Sequence, residues 1–153
     1  MMRVGLVSDT HGLLRPQVLA FLAGSDHIVH AGDIGDGAIL QQLARIAPVT
    51  AVRGNNDRGP WAEQLREVER LTVEGIGLFV IHDLALLAQQ APARPARVVV
   101  SGHSHKPLVQ ERGGVLFVNP GSAGPHRFRL PVAAGELLVD GDSVSARIAE
   151  FAA

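Results

Sequence analysis

Five short apolar runs in this chain each end in a residue that can bind a metal ion. They read VGLVS-Asp9-Thr10-His11, HIVHAG-Asp33, VTAVRG-Asn55-Asn56-Asp57, GLFVI-His82 and RVVVSG-His103-Ser104-His105. A few β-branched or aliphatic residues followed by a turn signal are what a fully buried strand looks like. In a sheet of parallel strands the C-terminal ends lie along one edge, and ligands bind there. The pattern therefore predicts a fold in which distant segments deliver Asp9, His11, Asp33, Asn55, His82, His103 and His105 to one place. That inventory suits two divalent cations about 3.5–4 Å apart, an arrangement that supports in-line attack on phosphorus.

The rest of the chain supports such a fold. Between the first runs, Val18, Leu19 and Leu22 have helical spacing after Pro16, with Gly24 as a stop. Asp36 is placed to cap a second helix carrying Ile39, Leu40, Leu43 and Ile46 on one face. Strands over 3–8, 27–31 and 49–52 complete a β-α-β-α-β series, which predicts a parallel sheet with helices outside. The second half is richer in strands. They are expected at 67–74 and 76–82 around Glu74-Gly75, at 97–101, at 108–112 and 115–118 around Gly113-Gly114, and as a final hairpin of 136–139 with 144–150. A short helix is expected over 84–90 and a loop over 91–96. Together these predict a second sheet packed on the first.

Composition narrows the chemistry. The 153 residues favour one domain, 1–153. With no cysteine there is no disulfide, thiol nucleophile or thiolate zinc site, so any metal has N and O ligands. Mn suits that set, and Ni, Fe and Zn are also accommodated. A net charge of -1 gives no strong footprint for nucleic acid or an anionic membrane. The first apolar run stops at Ser8 and no stretch is long enough to span a bilayer, so a soluble, cytoplasmic protein is expected. An apolar strand edge that pairs symmetrically looks like any other strand, which leaves a homo-oligomer open.

Taken singly, each motif also reads as a turn or a helix cap. The ordered set Asp9-x-His11, Gly32-Asp33, Gly54-Asn55-Asn56-Asp57, His82, Gly102-His103-Ser104-His105 is specific. It resembles the calcineurin-like metallophosphoesterases over residues 2 to about 124. The length and the later Asn119-Pro120-Gly121-Ser122 are most similar to the small bacterial and archaeal phosphodiesterase branch, which also contains the retromer subunit Vps29. The resemblance implies an α/β fold, a two-sheet β-sandwich flanked by helices in four layers, αββα. It implies that one metal takes Asp9, His11, Asp33 and His105 and the other Asp33, Asn55, His82 and His103, with Asp33 shared. A hydroxide between the metals would then attack a phosphodiester substrate in line. Asp33, Asn55, Asn56 and His103 are the residues expected to carry the chemistry. The resemblance equally allows a non-catalytic interaction scaffold. A nuclease is disfavoured, because the chain has neither a basic surplus nor room for DNA-binding insertions.

Some positions depart from the family pattern. Many members carry His where Asn56 stands, and an amide cannot act as a general acid at neutral pH. That implies a preference for diesters with good leaving groups. His82 is followed by Asp83 where glycine is common; Asp83 reads either as an acceptor that orients a ligand or as a cap for the helix at Leu84. The short segment from His82 to His103 implies an open site. Arg58, Arg127 and Asn56 are candidates for substrate contact, although both arginines also read as solvated surface residues. His30 is expected to pack behind the ligands, His27 to lie on the surface and Trp61 to cover a core edge.

Overall fold

The computed structural model describes residues 1–90, 95–127 and 129–152. The first sheet has the order β10-β9-β1-β2-β3. Its strands β1 (Met2–Val7), β2 (His27–His30) and β3 (Val49–Ala51) run parallel, and β9 (Val132–Asp140) pairs antiparallel with β1 and with β10 (Ser143–Phe151). The second sheet has the order β4-β5-β6-β8-β7. Here β5 (Ile76–Ile81), β6 (Val98–Val100) and β8 (Val115–Asn119) are parallel. The edge strands β4 (Val68–Val73) and β7 (Leu108–Arg112) are antiparallel to their neighbours.

Three apolar layers explain why these runs are strands. Val4, Leu6, Val29 and Leu137 of the first sheet face Leu78, Val80, Val100 and Val118 of the second, and all eight are buried. The opposite face of the first sheet packs Val7, Ile28 and Ala51 against Val18 and Leu22 of α1 (Pro16–Leu22) and Ile39 and Leu43 of α2 (Gly37–Ala44). The outer face of the second sheet packs Phe79, Ile81 and Val99 under Leu84 and Leu87. Those leucines belong to a 3-10 turn, Leu84–Leu86, that runs into α4 (Leu87–Gln90). The result is the αββα sandwich. Central parallel strands are covered on both faces, which is why β1, β2 and β6 read as continuous apolar runs.

Local signals act as expected. The Asp36 side chain accepts from the Ala38 N–H at 2.9 Å and caps α2. Glu74 and Gly75 have φ of 50° and 83°, the paired left-handed values that let a two-residue turn join twisted strands. Three features differ from the sequence reading. The final hairpin joins the first sheet through β1, and its β9 starts at Val132 rather than at 136. A one-turn helix, α3 (Pro60–Glu63), follows Gly59 and seats Trp61 against the α-helical side of the first sheet. His27 is half-buried, and its Nε2 lies 2.8 Å from Thr50 Oγ1. Of the expected loop 91–96, residues 91–94 lie outside the described residues. No helix among the described residues is long and apolar enough to cross a membrane.

Leu6 has no solvent exposure and sits between the sheets. Leu6→Ala should lower the unfolding free energy by about 2–5 kcal/mol, read from a urea titration, with the spread set by how far the two sheets relax into the gap.

Candidate metal centre

The strand ends converge, and their backbone is unusual. Asp9, His11, Asp33, His103 and His105 all have positive φ, between 45° and 70°. Such conformations cost non-glycine residues about 1–3 kcal/mol each and persist only where the surroundings impose them. Among the described residues only one other non-glycine shares this trait, Glu74 in its hairpin turn. Backbone hydrogen bonds hold the loops in place: Asp9 N–H to Gly32 O (3.0 Å), His11 N–H to Asp33 O (2.9 Å) and Gly102 N–H to His82 O (3.0 Å). Two glycines permit the close approach. A Cβ at Gly32 would lie 2.6 Å from His82 Nδ1, and one at Gly54 would collide with the carboxylate and backbone N of Asp33.

The side chains then form two groups around Asp33. Asp9 Oδ1 lies 3.7 Å from His11 Nε2 and 3.4 Å from His105 Nε2. Asp33 Oδ2 lies 3.7 Å from the same His11 nitrogen and 3.3 Å from His82 Nε2. Asn55 Oδ1 is 3.0 Å from His82 Nε2 and 3.2 Å from His103 Nδ1. All seven expected donors are therefore brought together, and one oxygen of Asp33 faces both groups. Two of the donor atoms, Asp9 Oδ1 and His11 Nε2, are buried without a hydrogen-bond partner. Burial holds the His11 imidazole below its ordinary pKa, with the Asp33 and Asp9 charges pulling only partly the other way. A neutral ring opposite a buried carboxylate oxygen is not an ion pair. The orphaned pair costs free energy that a cation between the two atoms would offset.

In the second group the histidine is oriented and the carboxylate is charged. His82 Nδ1 lies 2.7 Å from the Ala31 carbonyl, so Nδ1–H donates there and Nε2 faces Asp33 and Asn55. Burial pushes the His82 pKa down, but the hydrogen bond to Asp33 and the charges of Asp9 and Asp33 outweigh it and raise the value. Asp33 moves the other way. Burial would raise its carboxyl, but His82 and the Asn56 backbone and side-chain N–H groups hold it below the usual carboxylate range. Asp33 thus keeps its negative charge.

A further layer of side chains fixes the donors, and only part of it is legible in the sequence. Ser8 Oγ donates to Asp9 Oδ2 (2.7 Å), the His103 N–H donates to the same oxygen (3.1 Å), and Ser122 Oγ donates to the Asp9 carbonyl (3.2 Å). Asp57 accepts from Gly35 and Gly54 N–H at 3.0 and 2.8 Å, which ties the Asn55 loop to the Asp33 loop. Asn119 Nδ2 donates to the Gly102 carbonyl and to Ser104 Oγ, supporting the His103–His105 turn. The motif Asn119-Pro120-Gly121-Ser122 therefore braces two loops. Of the two roles left open by the sequence the cap is the one formed: Oδ1 accepts from Ala85 N–H at 3.0 Å, while Oδ2 lies 3.8 Å from His103 Nε2, beyond hydrogen-bond reach. Ser8 carries no sequence signal beyond its adjacency to Asp9, and Asp57 and Ser122 show in the sequence only as members of the two turn motifs, without a role.

The arginines sit at the periphery. Arg58 lines a cavity with Asn55 and His82. Arg127 is exposed, and its charge reaches His11, lowering that ring's pKa further.

The comparisons agree with this geometry. Residues 2–141 match the calcineurin-like phosphoesterase superfamily domain. A probable metallophosphoesterase of Methanothermobacter thermautotrophicus is 31% identical over 159 residues, covering 96% of this chain and 91% of that protein. The phosphodiesterase YfcE of Escherichia coli K12 is 29% identical, covering 95% and 91%. The solved structure of YfcE, described as a phosphoesterase, matches with a TM-score of 0.73 at 28% identity over 94% of this chain and 91% of that one. Vps29 of Entamoeba histolytica, solved with zinc, matches with a TM-score of 0.77 at 20% identity over 99% and 100%, a likeness of fold alone. This chain belongs to the calcineurin-like phosphoesterase superfamily. At that level it is a metallophosphoesterase, a hydrolase whose family implies divalent metal ions.

His30 has a role behind the donors. It is fully buried, its Nδ1 accepts from the Gly32 N–H (3.1 Å), and its Nε2 lies 3.0 Å from Thr10 Oγ1, which donates to the Ile34 carbonyl (2.8 Å). Nε2 must therefore carry the proton. Burial pushes the pKa from 6.5 down to about 3, against the pull of Asp9 and Asp33. The unfolded chain takes up this proton first. The contribution to stability is thus fully present above pH 6.5 and is lost as pH falls toward 3, by up to about 1.4 kcal/mol per unit. At pH 5, ¹⁵N–¹H correlation spectra should show His30 as the neutral Nε2–H tautomer. A charged ring at that pH would refute this arrangement.

Proposed function

We propose that this chain is a phosphodiesterase that works with two divalent cations. One would be held by Asp9, His11, Asp33 and His105, and the other by Asp33, Asn55, His82 and His103. The observation that carries the reading is the Asp33 Oδ2 atom, which faces His11 of one group and His82 of the other, beside the unpartnered Asp9 Oδ1 and His11 Nε2. The donor set is entirely N and O, which suits Mn best and accommodates Ni, Fe and Zn. When bound, such a pair activates water near neutral pH and offsets the charge that builds on the phosphoryl oxygens.

The protein's own contribution is position and charge. The Ala31 carbonyl holds a proton on His82 Nδ1, His30 is held in a single tautomer, and Asp33 stays ionised. The Asn56 side-chain amide donates to Asp33 Oδ2 at 3.0 Å and is available to a phosphate oxygen once cations engage that carboxylate. It has no proton to give a leaving group. Ester cleavage therefore depends on the leaving group's own acidity, which favours aryl diesters. Arg58 and Arg127 are the cationic groups suited to steady the phosphate. The scaffold reading is the weaker one, because all seven donors are present and converge.

The test is hydrolysis of bis(p-nitrophenyl) phosphate by metal-stripped protein, with Mn²⁺, Ni²⁺, Zn²⁺ or Mg²⁺ added back singly. Activity should return with metal. Asp33→Asn should lose bound metal and more than about 100-fold in turnover, since several kcal/mol of charge stabilisation depend on the pair. Without a general acid, alkyl monoesters should be slower than aryl diesters by about 10²–10⁴-fold. Full metal content in Asp33→Asn, or equal rates on both ester classes, would sink the reading.

A further inference from the structure

The short segment after His82 does not leave the site flat. Two cavities adjoin the candidate metal centre, and Asp83 lines both of them. The first, of about 300 Å³, is bounded by Asn55 and His82 and by Arg58, Leu86 and Gln90. Its polar rim is organised: Glu67 accepts from Arg53 at 3.2 Å and from Gln90 Nε2 at 2.9 Å. The second, of about 320 Å³, is bounded by His103, Ser104 and Lys106 and by Leu84, Pro107 and Leu108. The cavities thus touch different candidate donors, Asn55 and His82 in one and His103 in the other. Asp83 stands between them: one of its oxygens caps the Leu84–Leu86 turn, and the other faces His103 at 3.8 Å. Each volume lies at the small end of ligand pockets, enough for one ring-sized group.

We infer that the substrate is an asymmetric phosphodiester whose two alcohol arms are held apart on either side of Asp83. A polar, hydrogen-bonding arm lies against Arg58 and Gln90, and an apolar arm lies against Leu84, Pro107 and Leu108. This rests on the phosphodiesterase reading and deepens it. A monoester can fill only one of the two cavities, so the divided site adds a binding preference for diesters to the chemical preference set by Asn56.

Leu86 and Leu108 are each 40% exposed, so each can carry a larger ring that projects into its own cavity without disturbing the core. The experiment compares Leu86→Trp and Leu108→Trp, loaded with Mn²⁺, on bis(p-nitrophenyl) phosphate and on methyl p-nitrophenyl phosphate. The bis-aryl diester needs both cavities and should lose about tenfold or more in kcat/KM with either variant. The methyl ester has one ring. With one variant the two substrates should fall together, and with the other the bis-aryl diester should fall about tenfold further. Circular dichroism and metal content check folding, and Leu86→Phe with Leu108→Phe replace the tryptophan pair if either ring disturbs it. A bis-aryl diester that responds to only one variant, or two substrates that fall together with both, would overturn the inference. No diester turnover by the unaltered protein would reject the phosphodiesterase reading itself.

Discussion

The site depends on the carboxylate of Asp33. It stands at the end of β2, between two strands of the same sheet, so its neighbours arrive from both sides. One of its oxygens is 3.7 Å from His11 and 3.3 Å from His82. The other accepts the Asn56 backbone N–H. A carboxylate in this position is expensive to bury and is kept ionised only by donors that surround it. Remove it, and His11 and His82 lose the group that relates them. The two halves of the centre, each drawn from both sheets, would lose the group that joins them.

Placing that carboxylate requires strain, and the fold supplies the means. Five donors adopt left-handed backbone conformations that a free loop would relax. Backbone bonds between adjacent loops, the Ser8, Asp57, Asn119 and Ser122 side chains, and the neutral His30 hold them in place. These contacts hang from parallel strands buried on both faces, so the rigidity of the sandwich core is passed to the donors. Asp83, which caps the Leu84–Leu86 turn, stands beside His103 at the outer margin of the centre.

Much of this was legible in the sequence, for a definite reason. A buried parallel strand must be apolar along its length, so an Asp or His directly after it marks the sheet edge. That rule located Asp9, Asp33, His82 and His103 together with their neighbours. The destination of the last hairpin was not legible. Two strand-like runs close together in sequence say that β9 and β10 pair with each other, and nothing in them says that β9 also pairs with β1 of the first sheet. The short α3 was missed because one turn after Gly59-Pro60 carries too few apolar positions to show a period. Ser8 was silent, and Asp57 and Ser122 stood in motifs without a legible role, because Asp and Ser near turns are common for local reasons. Only the three-dimensional meeting of loops reveals what they hold.

Whether Asp33 serves two cations at once is tested most directly by anomalous diffraction from crystals soaked in Mn²⁺. Two peaks about 3.5–4 Å apart, with Asp33 Oδ2 between them, are expected. One of them should fall among Asp9, His11 and His105, and the other among Asn55, His82 and His103. A single peak at full occupancy, or two that do not share Asp33, would contradict the account.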